Sequence, residues 1–433
     1  MKLKASDYNF IYDDLGKDQI VMYNAFTGAL AVVKEKQYKQ FTDYLDTGKE
    51  IEDKEFLDNA LKCGYLVSEN VDERFLIKMR MMSGRFNNRI LALTIAPTMA
   101  CNFRCVYCFE QGHYGNELMD EATQNNIIEF VKKRISGIDK LVISWFGGEP
   151  LLGMPVIEQM SKRFMDLCLE HNVQYGAGIV TNGYLLTKDI AQKLKECKVQ
   201  SAQITVDGPK QIHDKRRPLI NGKGTYDVIM ENLKEIDGLL PVNLRINVDA
   251  DNFSVANEVV QYIKEHNMLT YVRPYLGLVI PYNGVYESGK CLSEEVYSKY
   301  NLQFLLDNDL PLRVIYPKPR GNYCVADLAN GWVIDDKGYM YKCWNDIGMT
   351  EKAIGNINLG DNFIQNTHYL STYSSFDPYI DDYCKDCKIL PVCLGGCPNT
   401  RAERGIMCDQ IKFYLQDYLM QCTKIMLTAK QGR

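Results

Sequence analysis

Between Ile90 and Tyr275 the sequence repeats one pattern, a short apolar run followed by a longer amphipathic stretch. Runs at 90–97, 141–146, 176–181, 201–206, 242–249 and 270–276 have strand length and composition. The stretches between them, at about 119–136, 155–171, 187–197, 225–237 and 253–266, read as helices. Strands alternating with helices predict a parallel sheet with helices outside it. In barrels of this kind the chemistry sits on the loops after the strand C-termini. The unusual residues fall there. Cys101–Cys108 follows the first strand, Gly147-Gly148-Glu149-Pro150 the second, Thr181-Asn182-Gly183 the third and Asp207-Gly208-Pro209 the fourth. Asn247 ends the fifth strand, and Arg273 and Tyr275 the sixth. Together these placements predict one site at one end of a barrel.

The loop after the first strand reads CNFRCVYC, which spaces Cys101, Cys105 and Cys108 as C-x3-C-x2-C. In a strand, alternate side chains point to opposite faces, so three converging thiols need a loop. Soft thiolates suit zinc or an iron–sulfur cluster. Zinc would want a fourth protein ligand, and His113 alone follows within a dozen residues. The other reading is a [4Fe–4S] cube with three thiolates and one open iron. Three buried thiols are the plainest reading.

This stretch resembles, residue for residue, the motif of the radical S-adenosylmethionine (radical SAM) enzymes. Tyr107 fits their preference for an aromatic residue before the third cysteine. The resemblance implies an α/β fold, a partial (β/α)6 TIM-like barrel, whose open iron is chelated by S-adenosylmethionine. Gly147-Gly148-Glu149 is similar to the family's GGE segment, which holds the cofactor's amino group, with Glu149 as a carboxylate partner for the ammonium. Pro150 opening a helix is a compatible structural role. Thr205 and Asp207 lie where the family contacts the cofactor's ribose and carboxylate region. Asn247 is a further candidate on the fifth strand, where only one of Arg245 and Asn247 is expected to face inward. His213, on a loop beside Asp214 and Arg216, is expected to be a satisfied polar contact without a catalytic role.

Composition bounds the rest. A chain of 433 residues holds two or three domains. A net charge of −5 without a long basic run gives no sign of a nucleic-acid surface. The start, MKLKASDYNF, lacks the apolar core of a signal peptide, and no stretch reaches the ~18 apolar residues of a membrane span. The expectation is a soluble, cytoplasmic protein. In a reducing compartment its 15 cysteines are better metal ligands than disulfides.

The second cysteine array starts at Cys324 and runs C-x13-G-x4-C through Gly338 and Cys343. Cys384, Cys387, Cys393 and Cys397 follow as C-x2-C-x5-C-x3-C, then Cys408. A zinc ribbon would explain Cys384, Cys387 and two later cysteines, but not the Cys324–Gly338–Cys343 spacing. The array resembles the seven-cysteine signature of the SPASM domain of radical SAM peptide and protein maturases, and the stretch TVDGPKQIHDKRRPLINGKGTYD looks like the radical SAM subgroup with extra C-terminal clusters. By that pattern Cys384, Cys387, Cys393 and Cys408 would hold one auxiliary [4Fe–4S] cluster. Cys324, Cys343 and Cys397 would hold a second, making three clusters in all. Residues 312–323 contain no cysteine to complete that second set, and Cys291, 33 residues upstream of Cys324, is the one alternative that could reach round as its fourth ligand. Cys63, Cys168, Cys197 and Cys422 lie on predicted helices and are expected to be small buried hydrophobes.

The first 85 residues read as a separate module. Strands are expected at Tyr8–Tyr12, Gln19–Tyr23, Ala29–Val33 and Tyr65–Ser68, helices at Glu35–Thr47 and Asp53–Cys63, and turns at Asp13–Lys17 and Asn24–Gly28. The order resembles a winged-helix-like leader-recognition module of enzymes that modify ribosomally made peptides, which captures an extended leader as an added strand. A structural cap on the barrel is the alternative. Expected boundaries are 1–85 for this module, 86–276 for the barrel, 277–319 for a connector and 320–433 for the SPASM domain. The connector is expected to hold a helix at Ser293–Asp307 and a strand near Leu312–Ile315.

The resemblance implies reductive cleavage of S-adenosylmethionine to a 5′-deoxyadenosyl radical that takes a hydrogen atom from a precursor peptide. It also implies an electron donor such as flavodoxin or ferredoxin. With one ligand short, an auxiliary iron has room for a substrate thiolate, which points to a Cys-to-carbon thioether. Carbon–carbon cross-linking and formylglycine formation by an anaerobic sulfatase maturase are the alternatives, and a non-enzymatic electron carrier the last.

Overall fold

The computed structural model describes residues 2–13, Gly16 and 18–431, which divide into two compact units. One comprises residues 1–85, 294–324 and 376–433, the other 86–293 and 325–375. The stretch after residue 320 is thus divided between them.

The first unit opens with β1 (Leu3–Ala5), β2 (Asn9–Tyr12), β3 (Gln19–Asn24) and β4 (Ala29–Lys34). Then come α1 (Glu35–Thr47), α2 (Lys54–Lys62), β5 (Leu66–Ser68) and α3 (Glu73–Arg85). β2, β3 and β4 form an antiparallel meander, and β1 pairs with β5. Most of the expected turn over Asp13–Lys17 lies outside the described residues. α1 ends at Gly48, whose φ of 76° takes the left-handed conformation that glycine adopts without strain. α2 begins where Asp53 accepts the Phe56 N–H. Met22, Phe41, Phe56, Tyr65 and Leu66 fill the core of this module. β1 and α3 were not expected. Three residues are too few for a periodic signal, and α3 turns Ile77 and Met81 inward while leaving Phe75, Leu76, Met79 and Met82 exposed.

Later in the unit, the expected helix at 293–307 is Glu294–Asp307, and it packs on the long helix Ile411–Gln431. The strand expected at Leu312–Ile315 is instead a 3₁₀ turn. Its carbonyls are taken by side chains, because Tyr418 Oη donates to Leu312 O and Tyr414 Oη to Ile315 O.

The second unit is built on β6 (Ile90–Ile95), β7 (Lys140–Trp145), β8 (Gln174–Thr181), β9 (Val199–Thr205), β10 (Val242–Val248) and β11 (Val272–Leu278). These six strands pair in parallel in sequence order, each within a few residues of its expected place. They are linked by α4 (Glu121–Lys132), α5 (Met154–Glu170), α6 (Lys188–Glu196), α7 (Lys210–Arg216), α8 (Tyr226–Glu235) and α9 (Ala256–Glu265). α7 was not expected, so His213 is on a helix and not a loop. The sheet stays open between β6 and β11. On the β6 side it continues through β12 (Gly331–Ile334), parallel to β6, and then antiparallel β13 (Tyr339–Tyr341) and β14 (Gly355–Asn356). Among the described residues, no helix is long and apolar enough to cross a membrane.

Candidate active site

The chain leaves β6 through Thr98, whose hydroxyl donates to Glu117 O (2.5 Å) and accepts from Ala100 N (3.0 Å). Asp336 accepts the Met99 N–H at 3.1 Å. The cysteine loop is then pinned to the segment after α7. Arg104 N donates to Pro218 O, Val106 N to Arg216 O, and Ile220 N to Asn102 O. Phe103, only 1% exposed, anchors the loop from beneath. The three thiols of Cys101, Cys105 and Cys108 all line one cavity of about 370 Å³. That volume lies within the range of small-ligand sites, about 300–1,000 Å³. Among the described residues, no three His, Cys, Asp or Glu side chains are gathered tightly enough to hold a single ion.

The loop after β7 supports the cysteine loop from its other side. A Cβ on Gly148 would stand 2.3 Å from Ala100 O, and one on Gly147 2.5 Å from Thr98 O. Gly147 also takes φ of 105°. Glycine is required here for close approach to the chain that carries Cys101. Both glycines line the cavity. Glu149 does not line it, contrary to the expectation of a carboxylate facing an ammonium. Its carboxylate is fully buried and accepts from Thr181 Oγ1 (2.7 Å), Asn182 N (2.7 Å) and Leu151 N (3.0 Å). Glu149 therefore ties the second loop to the third.

Asp207 is also buried outside the cavity wall. Tyr107 Oη donates to its Oδ2 at 2.5 Å, Arg216 Nε does so at 3.2 Å, and Asn247 N donates to Oδ1 at 3.3 Å. The same Tyr107 oxygen accepts from Arg217 Nη1 (2.9 Å) and Asn247 Nδ2 (3.0 Å). Asp207 therefore fixes the aromatic residue inside the cysteine motif. His213 Nδ1 accepts the Asp207 N–H at 3.2 Å, and Nε2 is 3.0 Å from Thr225 Oγ1. Burial, then Arg217 and Arg216, push this imidazole well below its ordinary pKa. It is a neutral, satisfied contact.

Thr205 and Asn247 line the cavity, and so does Arg245. The expectation that only one of Arg245 and Asn247 faces inward is corrected. Residues two apart on a strand share a face, and Arg245 Nε donates to Asn247 Oδ1 at 2.6 Å. The same period places Gln203 beside Thr205 on the wall, a residue the sequence reading missed. Arg273 is exposed near the start of β11, which runs on to Leu278, so it is not at the site. Also missed were Glu110 and Arg217. Burial, and then Glu149, push Glu110 up to about 8. Arg217 is 7% exposed, and its Nε has no hydrogen-bond partner among the described residues. A stack of Phe109, Phe146 and Trp344 closes one side, with the Phe146 and Trp344 rings 5.3 Å apart.

These residues fit a cluster and an anionic cofactor group. Burial raises the pKa of all three thiols, while the Arg217 cation acts downward on Cys105. Metal binding replaces those protons, and a buried guanidinium whose Nε N–H has no partner among the described residues suits a carboxylate or an anionic cluster.

In the other unit, Cys384, Cys387, Cys393 and Cys408 line one small pocket with Leu390 and Arg401. Arg401 Nη2 stands 3.4 Å from Cys384 Sγ, and Lys412 Nζ 3.5 Å from Cys408 Sγ. Four cysteines lining one pocket, with cationic donors on two of their sulfurs, are a donor set whose chemistry fits a cube. Cys397 is half-buried at the start of the helix Pro398–Arg404, Cys324 is half-buried, and Cys343 is buried after β13. Of the remaining cysteines, Cys168 and Cys197 are buried as expected, whereas Cys63, Cys291 and Cys422 are partly exposed.

Residues 95–267 match the Radical SAM superfamily. The chain is 26% identical over 363 residues to a cysteine-type anaerobic sulfatase-maturating enzyme of Clostridium perfringens, covering 76% of this chain and 94% of that one. It is 24% identical over 424 residues to the radical SAM cyclopropyl synthase TigE of Paramaledivibacter caminithermalis, covering 87% of this chain and 85% of TigE. The crystal structure of Streptococcus suis SuiB bound to its precursor peptide SuiA shares the fold, with a TM-score of 0.54 at 15% identity over 93% of this chain and 97% of SuiB.

Proposed function

From the premise that this chain is a radical SAM enzyme, we infer that it is a maturase that installs a cross-link in a ribosomally made precursor peptide, with a Cys-to-carbon thioether as the leading product. The observation that carries this reading is the cavity lined by Cys101, Cys105 and Cys108 against Gly147 and Gly148. When bound there, a [4Fe–4S] cluster with S-adenosylmethionine supplies a 5′-deoxyadenosyl radical that abstracts hydrogen. The chain's own residues do the positioning. Tyr107, held by Asp207, Asn247 and Arg217, sets the cysteine loop, and Arg217 offers an unused N–H to an anionic group. Thr205, Gln203, Arg245 and Asn247 supply polar contacts along the wall. Phe109, Phe146 and Trp344 give it an apolar side that excludes water.

A peptide substrate is supported by the sulfatase-maturating relative and by SuiB, which binds its precursor peptide SuiA. In this reading the leader would add to β4, which among the described residues pairs with β3 alone, whereas Lys388 Nζ already donates to Asn9 O on β2. The thioether rests on the ligand count, since seven cysteines would serve two auxiliary clusters and residues 312–323 hold none to complete the second. TigE, a cyclopropyl synthase, gives the carbon–carbon alternative its support, and the sulfatase-maturating relative supports formylglycine formation.

Anaerobic turnover of a small cysteine-bearing precursor peptide, read by mass spectrometry, separates the three. A two-dalton loss with no alkylatable thiol is expected for a thioether, since bond formation removes two hydrogens. The same loss with thiols still alkylatable replaces the thioether with a carbon–carbon bond. An unchanged precursor, with formylglycine formed on a sulfatase peptide, overturns the cross-linking reading.

A further inference from the structure

We propose that Arg401 raises the reduction potential of the auxiliary cluster held by Cys384, Cys387, Cys393 and Cys408, through a charge-assisted hydrogen bond to the Cys384 sulfur. The proposal rests on the assignment of a cluster to these four cysteines. Arg401 Nη2 is 3.4 Å from Cys384 Sγ, within sulfur hydrogen-bonding distance. The guanidinium is fixed from several directions. Its Nε donates to Gly395 O at 3.0 Å, Nη2 also reaches Gly395 O, and the Phe376 ring lies 3.8 Å from the guanidinium carbon. Gly395 itself cannot carry a side chain, because a Cβ there would stand 2.4 Å from Phe376. The Arg401 side chain is 12% exposed and Cys384 is 7% exposed, so water screens this contact little.

One-electron reduction of an iron–sulfur cluster adds negative charge that is shared with the ligand sulfurs. A donor N–H and a buried cation stabilise the reduced form more than the oxidised form, which raises the potential. Asp381 offsets part of the cation's charge, with Oδ2 3.7 Å from Arg401 Nη1. Asp381 also accepts the Cys384 N–H at 3.0 Å, so it orients that cysteine and leaves the N–H···S contact in place. Lys412 reaches Cys408 Sγ at 3.5 Å and Tyr383 Oη at 2.9 Å, but its side chain is exposed and its charge is screened. The two cations therefore differ. Arg401 is the positioning residue, and Lys412 contributes less.

The test is an EPR-monitored redox titration of the reconstituted full chain, with iron counted in each sample. In Arg401→Met, one auxiliary signal is expected to move to more negative potential at unchanged iron. Arg401→Lys, which keeps a cation without the fixed fork, is expected to move it less. Lys412→Met is expected to move it least. An unmoved signal in Arg401→Met at full iron overturns the proposal, as does an equal shift in Lys412→Met. If Arg401→Met loses iron, Arg401→Lys decides, since a negative shift supports the proposal and none overturns it. Failure of the underlying assignment is read separately, as Cys387→Ser retaining all of the wild-type iron.

Discussion

Replacing Arg216 by Met should be among the most damaging single changes in the barrel unit. The Arg216 side chain is 8% exposed and bridges two fully buried carboxylates, with Nε 3.2 Å from Asp207 and Nη1 2.7 Å from Asp249. Burial opposes its charge, but Asp207, Tyr107 and Asp249 together raise its pKa, so it stays ionised at working pH. Met fills much of the volume and leaves both carboxylates without their cation. Removing one partner of a buried ion pair costs about 3–5 kcal/mol, a large share of a domain's ~5–15 kcal/mol. With a urea slope near 3 kcal/mol/M, the midpoint should fall by about 1 M or more. Urea unfolding followed by far-UV circular dichroism reads this directly. Adding Asp249→Asn to Arg216→Met should recover part of the loss, because one stranded charge is then removed. A midpoint shift under about 0.3 M in Arg216→Met, or a double variant less stable than the single one, would refute the ion-pair reasoning.

Gly148→Ala would set a Cβ 2.3 Å from Ala100 O and push the cysteine loop away from β7. S-adenosylmethionine binding, followed by the change it causes in the cluster EPR signal, should weaken at least tenfold, which corresponds to about 1.4 kcal/mol. Asp335, 3% exposed, is pushed by burial from 3.8 up to about 6. Its raised folded pKa favours the protonated form, so its contribution to stability is fullest below pH 4, falls by about 3 kcal/mol as pH rises to 6, and is flat above. Asp335→Asn keeps an acceptor for the Lys337 and Tyr339 N–H groups and should remove that fall, as read from unfolding midpoints between pH 4 and 7. Cys387→Ser should lower iron by about four per chain while leaving the S-adenosylmethionine-responsive EPR signal intact, because that cysteine is in the other unit.

The parallel sheet was legible because each strand carries a row of buried apolar residues at every second position, such as Val242, Leu244, Ile246 and Val248, and amphipathic helices lie between the strands. The positions after each strand were equally legible, since glycines and cysteines there interrupt the pattern. The direction in which a side chain points was not legible. Glu149 and Asp207 occupy the expected loops, but their carboxylates are spent on neighbouring loops and not on the cavity. Sequence spacing shows which residues share a loop, whereas hydrogen-bond competition decides where each carboxylate goes. Gln203 and Arg245 could have been found from strand period alone, each being two residues before an expected wall residue. Arg217 gave no such signal, because its place depends on how the chain leaves α7. The β12–β14 extension was hidden by its length, with strands of two to four residues.

The most direct test of the account uses a precursor peptide deuterated at the candidate carbon, with the reduced holoenzyme and S-adenosylmethionine under anaerobic conditions. The measurement is the isotopic mass of the 5′-deoxyadenosine released. The account predicts one deuterium transferred into it for each peptide modified, and none in a Cys105→Ser variant. A modified peptide with unlabelled 5′-deoxyadenosine, or modification that persists in Cys105→Ser, would contradict it.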